Sequence, residues 1–204
     1  IADNRRKTPL HAASKTGKIY IIKKLLSFEN NSNDNIRDIN GDTPLHYAVR
    51  ENQTKVIEFF LSLNKPSLIL EQNRKGESPL SLAASLNQQS TVNLFIEKVG
   101  HFNPCESFNA LKGAAKIKDI DYIKYLVSKG LNVNVRQRNL SIIDFTIEND
   151  LFSVFEFFKD SNLIDYDDIA LIALAYVCGR RKIFDLLIKN YNGVKAENLL
   201  NGFL

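Results

Sequence analysis

The chain of 204 residues has no methionine and only two cysteines, Cys105 and Cys178. A disulfide framework would need more cysteines at closer spacings, so both are read as free thiols in a reducing compartment. No apolar run reaches the roughly 18 residues of a membrane span, and no basic-apolar-cleavage pattern opens the chain. Membrane insertion is therefore not expected, and a cytoplasmic location is. With no Met and with Ile1 at its start, the chain is expected to be an excised piece of a longer protein rather than a processed product. Also missing are a glycine-rich phosphate loop, a run of metal ligands, and a nucleophile paired with a base. No catalytic residue, metal or cofactor is expected.

The residues that are present make an ordinary soluble composition, 44% apolar and 25% charged, long enough for a sizeable core. The richness in Asn, Lys and Ile suggests AT-rich coding. In so Asn-rich a chain the sequons at Asn30, Asn52 and Asn139 read as accidental.

The organising stretch is Thr43-Pro44-Leu45-His46-Tyr47-Ala48, preceded by Asp38-Ile39-Asn40-Gly41-Asp42. Gly41 permits the backbone angles of a tight turn. Thr43 can cap the next helix, and Pro44 sits at the first helical position, where a missing N–H costs nothing. Leu45 and Ala48 share a face, and the small Ala lets a neighbouring helix approach. Thr8-Pro9-Leu10-His11-Ala12-Ala13 lies 35 residues upstream, and Ser78-Pro79-Leu80-Ser81-Leu82-Ala83-Ala84 lies 35 residues downstream. The pattern resembles the ankyrin repeat, marked by Thr-Pro-Leu-His-x-Ala runs. The resemblance implies an all-α ankyrin-repeat solenoid of about six helix-turn-helix units with short β-turn loops. Its repeats are expected at about 3–37, 38–72, 73–104, 105–135, 136–164 and 165–194, with a C-terminal cap over 195–204, all in one domain.

Repeat by repeat, turns are expected at Asp3–Lys7, at Asp38–Asp42 and at Asn73–Glu77. First helices are expected from Thr8, Thr43, Ser78, Asn109, Ser141 and Ile169. Gly17 ends the first of them, Asn52 stands where the family has Gly, and Gly130 caps the second helix of repeat four. Arg181 falls where the family places an apolar residue, which leaves the register of repeat six open. Phe28–Asn35 reads as an exposed loop.

In the family, partner proteins lie against turn tips and the exposed positions of first helices. Carried over, the resemblance gives Arg5, Lys7 and Lys15 in repeat one. It gives Ile39, Asn40, Asp42, Arg50 and Glu51 in repeat two, and Arg74, Lys75, Glu77 and Leu86 in repeat three. Phe108 and Lys116 follow in repeat four, with Ile117 beside them, and Arg138 and Leu140 in repeat five. Many of these residues are basic. With a net charge of +4 and a pI near 9.0 they favour an acidic partner protein, unless they are merely solvated surface cations. Ile39, Leu86, Phe108 and Leu140 are apolar anchors if exposed.

The resemblance makes His11 and His46 hydrogen-bonding braces between neighbouring turns. His101, with no ligand-spaced Cys or His, is expected on the surface. Asp165, Asp167 and Asp168 either hold a cation or complement a helix start, and the second reading is preferred. The basic residues are spread out and lack stacking aromatics, so nucleic acid is not expected as a ligand. The expected object is a monomeric, non-catalytic scaffold that binds a protein. The alternative is the substrate-positioning region of a larger enzyme or a translocated bacterial effector, which would act in host cytoplasm.

Overall fold

The computed structural model describes residues 2–28, 36–63, 70–99, 104–137, 139–161, 164 and 168–191. Among these, twelve helices follow one another as six antiparallel pairs. The pairs are α1 (Pro9–Lys15) with α2 (Ile19–Phe28), α3 (Pro44–Arg50) with α4 (Thr54–Ser62), and α5 (Pro79–Ser85) with α6 (Gln89–Val99). The remaining pairs are α7 (Pro104–Ile117) with α8 (Ile120–Ser128), α9 (Ile142–Glu148) with α10 (Phe152–Asp160), and α11 (Ile169–Val177) with α12 (Arg181–Asn190). Two short strands, β1 (Arg136–Gln137) and β2 (Leu140–Ser141), pair antiparallel just ahead of α9.

The first helices make a continuous layer, with α1 packed on α3, then α5, α7, α9 and α11 in turn. Each hairpin has one apolar face toward its own partner helix and one toward the next hairpin, so burial is shared along a line. Ala48, Ala83, Ala84, Ala114 and Ala115 are buried within the first-helix layer, where a small side chain lets backbones come close. Val56, Ile57, Phe60, Val92, Phe95, Ile123, Leu126, Phe155, Phe158, Ile183 and Leu187 fill the layer behind it.

Each hairpin turns on one left-handed residue: Gly17, Asn52, Asn87, Lys118, Asp150 and Gly179 all have φ between 51° and 74°. The amide one residue further on reaches back to the first helix in five of the six, as from Gln53 to the Ala48 carbonyl at 2.8 Å. This closes the helix end with a Schellman-type bond. Asn52 takes the conformation expected of it (φ 51°), and Gly130 ends α8 with φ 92°.

Repeat four departs from expectation. Its first helix starts at Pro104 rather than Asn109 and runs 14 residues. No Asx or Gly turn interrupts it, so Pro104 at the start and Glu106 in the first turn extend the helix over the place where other repeats carry a turn. The expected C-terminal cap, 195–204, and His101 lie outside the described residues. So do residues 29–35 of the expected loop, whose first residue, Phe28, instead closes α2. The side chain of Cys105 also lies outside them. Cys178 is half-buried and free.

Candidate protein-binding surface

The first three turns are copies of one another. Asp3, Asp38 and Asn73 each accept two backbone N–H bonds on Oδ1. For Asp38 the donors are Asn40 at 2.8 Å and Asp42 at 2.9 Å. The left-handed position of the turn is Arg6, Gly41 and Gly76 in order. Neighbouring turns are joined by backbone bonds, Ile39 N–H to the Arg5 carbonyl and Arg74 N–H to the Asn40 carbonyl, both 2.9 Å. A Cβ on Gly41 would stand 3.0 Å from the Arg74 nitrogen, so Gly41 is needed for the approach as well as for its φ of 78°.

Both histidines brace this ladder. His46 Nδ1 accepts the Thr43 N–H at 3.1 Å, so the ring proton sits on Nε2, which donates to the Glu77 carbonyl at 2.9 Å. His11 does the same with Thr8 N–H and the Asp42 carbonyl, 3.1 Å and 3.0 Å. Burial lowers the pKa of both rings, against the raising effect of those carbonyls and of nearby Asp38 or Asp42. Both rings are held neutral, as structural donors.

The acids of the second turn face inward. Asp38 is 2% exposed and also accepts the Tyr47 hydroxyl at 2.9 Å. Burial pushes its carboxyl up, but the bonds from Asp42 N–H, Tyr47 and Asn40 N–H hold it below the usual carboxylate range. Asp42, expected at the surface, is only 3% exposed. The correction has a clear cause: its carboxylate pairs with Arg50 at 3.0 Å and accepts from Asn73 Nδ2 at 2.9 Å, which ties repeat two to repeat three.

Two apolar residues expected as anchors are likewise displaced from the surface. Phe108 lies in the extended α7 and is 2% exposed. Leu140 is half-buried in β2, packed against the core. Arg138 lies outside the described residues. Glu77 is half-buried and bonded to Asn73, and Lys7 is half-buried with Nζ 5.1 Å from the centre of the Tyr47 ring. Arg5, Lys15, Ile39, Asn40, Arg50, Glu51, Arg74, Lys75, Leu86 and Lys116 are exposed. Of these, Lys15 pairs with Glu51 at 3.6 Å.

Beside Tyr47 lies an open depression of about 480 Å³, lined by Lys7, Pro9, Ala12, Lys15 and Tyr47 among others. Sequence reasoning passed over Arg6 and Lys118, because a bulky residue at positive φ leaves no compositional mark. It also passed over Tyr47, although the Asp38-to-Tyr47 spacing lay in plain view. Asp168 caps α11 by accepting the Ala170 N–H at 2.9 Å, while Asp165 and Asp167 lie outside the described residues. Arg181 is the exposed first residue of α12. Among the described residues no group of three or more His, Cys, Asp or Glu could hold a metal, and no helix is long and apolar enough to cross a membrane.

Stacked helical hairpins with projecting turns define the class: a repeat solenoid whose open surface is its turn tips and first-helix ends. Residues 1–68 match the family model for ankyrin repeats (3 copies). Similar solved structures include an ankyrin repeat domain from Acinetobacter baumannii AYE. It shares 22% identity, with 88% of this chain and 96% of that chain covered and a TM-score of 0.59. A search of curated proteins returns no match. Residues 1–68 thus match the ankyrin-repeat family, and the described residues share the fold of an ankyrin-repeat solenoid. Ankyrin repeats are in general protein-protein interaction modules without catalysis of their own.

Proposed function

We propose that the chain is a monomeric, non-catalytic scaffold that holds an acidic protein partner across its turn tips and the exposed ends of its first helices. The observation that carries this reading is the sorting of charge at the turns. Asp3 and Asp38 direct their carboxylates at turn N–H groups, and Asp42 is locked by Arg50 and Asn73. Arg5, Arg6, Arg74 and Lys75 are left exposed, with no acidic partner among the described residues. Ile39, 44% exposed, stands between them as an apolar contact. Charge of one sign along a rigid edge speeds encounter with an acidic surface, and the apolar contact holds it.

The test is affinity capture with the purified protein, followed by mass spectrometry and a binding titration of the captured protein. Arg74→Glu with Lys75→Glu should weaken capture by about tenfold or more, most strongly at low salt, without altering helix content or melting. Undiminished capture by this variant would sink the assignment of the turn tips.

A further inference from the structure

The residue just ahead of each left-handed hairpin position is Thr16, Glu51, Leu86, Ile117, Asn149 and Cys178 in the six hairpins. Thr16, Glu51 and Asn149 are polar and exposed, as a solvated rim should be. Cys178 is half-buried, and the two central hairpins break the rule with exposed apolar side chains, Leu86 at 43% and Ile117 at 46%. We infer that Leu86 and Ile117, flanked by Lys116 and Lys118, form an anchoring ledge for an acidic amphipathic segment of the partner, one whose leucine-like side chain is bordered by Asp or Glu. This inference rests on the scaffold reading above and names the chemistry the scaffold selects.

A lone exposed leucine is ordinary. Here two occupy equivalent positions on adjacent hairpins, and neither packs against the core. The hairpins are held unusually close. A Cβ on Gly113 would lie 2.2 Å from Ser85 Cβ and 2.5 Å from Ser85 Cα, so α7 meets α5 backbone to side chain one residue before Leu86. The backbone beneath is already satisfied, since the Leu86 N–H bonds to the Leu82 and Ala83 carbonyls. A rigid apolar step in the middle of an array costs a partner little ordering on either side, and binding energy concentrates in central anchors of this kind.

The charges fix the occupant. Lys116 and Lys118 are exposed and have no acidic partner among the described residues. Acids of the neighbouring hairpins are engaged elsewhere: Glu51 with Lys15 at 3.6 Å, Asp119 with the Tyr122 N–H at 2.9 Å and Asn87 Nδ2 at 3.4 Å, and Asp150 with Arg180 at 3.9 Å. A second copy of this chain, itself carrying a net +4, would bring like charge to the ledge.

The probe is a displayed library of random peptides about a dozen residues long, selected on the intact chain, with affinities then measured by fluorescence anisotropy. Enriched peptides should carry Leu, Ile or Phe beside Asp or Glu. Their Kd should rise at least about tenfold in Leu86→Ser with Ile117→Ser, and several-fold in Lys116→Gln with Lys118→Asn. Leu86→Met with Ile117→Val should keep the affinity, and circular dichroism should show all variants folded. Peptides that respond to Arg74→Glu with Lys75→Glu but not to the ledge variants would overturn the ledge and leave the turn-tip reading standing. Enrichment of no peptide sensitive to either set would overturn both. A dimer in sedimentation that Leu86→Ser dissolves would make the occupant a second copy and refute the acidic segment.

Discussion

The junctions among hairpins one to three are fastened at their turn ends by a backbone bond, turn N–H to turn carbonyl, and by a histidine Nε2 that donates to the next turn's carbonyl. Gln53 and Gln88, 35 residues apart, add a second tie from below. Each donates to the end of the preceding first helix, at the Lys15 carbonyl (3.2 Å) and the Val49 carbonyl (2.8 Å). From hairpin three onward no turn-to-turn backbone bond is found among the described residues, and other side chains make the ties. Ser78 Oγ donates to the buried Glu106 at 3.0 Å, Asn109 Nδ2 donates to the Gly76 carbonyl, and Arg180 reaches the Glu148 carbonyl at 2.9 Å. A backbone ladder braced by histidine constrains the sequence to one motif, whereas other side-chain ties and apolar packing can be met in many ways. The motif is therefore strong where the turns are laddered, and it fades where they are not.

The junction between these two regimes is the place to break the array. Gly113→Ala drives a methyl group into Ser85 across the α5–α7 contact, and neither helix can yield without disturbing its other neighbour. The variant should lose about 3 kcal/mol in urea unfolding, the upper part of the usual overpacking range. Adding Ser85→Gly should restore part of that loss. A Gly113→Ala protein as stable as the parent would show that this junction is loosely packed.

Next in size are the braces. His46→Ala strands the Glu77 carbonyl and the Thr43 N–H, which should cost about 2 kcal/mol. Ser81→Ala, at the same place in hairpin three, should cost less, because among the described residues the Ser81 hydroxyl bonds within its own hairpin. The histidine contribution also depends on pH. Both folded rings have pKa values below the ordinary one of 6.5, so below about pH 6.5 the unfolded chain takes up protons that the folded chain refuses. Stability is full above that value and falls as the solution is acidified toward the folded pKa. His46→Ala should flatten the fall in melting temperature between about pH 7 and pH 5, and an unchanged slope would remove the ring from the account.

How much of this was legible in sequence follows from the same division. The cap-proline pairs at Thr8-Pro9, Thr43-Pro44 and Ser78-Pro79 fixed three helix starts to the residue, because capping is local chemistry. The burial of Asp42 was not legible, since it depends on Arg50 one helix away and on Asn73 in the next repeat. Phe108 was misplaced for another reason. The turn expected there by analogy is absent, and Pro104 with Glu106, an ordinary helix-start signal, pointed to the longer helix. Of the candidate surface, the basic tips could be read from the motif. Leu86 and Ile117 were also read from the motif as first-helix ends, but their exposure and the close Gly113–Ser85 approach beside them needed the structure.

The left-handed residues offer a stabilising test. Gly17, Asn52, Asn87, Asp150 and Gly179 are types that tolerate this conformation, whereas Lys118 carries a long side chain at φ 57°. Lys118→Gly should gain about 1 kcal/mol, and Asn52→Gly, on the laddered side, should gain less.

The smallest effect sharpens the comparison furthest, because it separates two tyrosines on one helix. Tyr122 and Tyr125 of α8 stack with ring centres 5.8 Å apart, and both phenols are pushed up in pKa, chiefly by burial. The Tyr125 hydroxyl donates to Asn93 Oδ1 at 2.7 Å and thereby joins α8 to α6. The Tyr122 hydroxyl is buried and has no hydrogen-bond partner among the described residues. Water bonded to it in the unfolded chain is lost on folding without replacement. Tyr122→Phe keeps the ring and removes the stranded oxygen, so stability should rise by about 0.5 kcal/mol. Tyr125→Phe breaks a made bond and should lower stability by a similar amount. If both changes destabilise the protein equally, the Tyr122 hydroxyl has a partner, and the second-helix layer of hairpin four is tied by more than apolar packing.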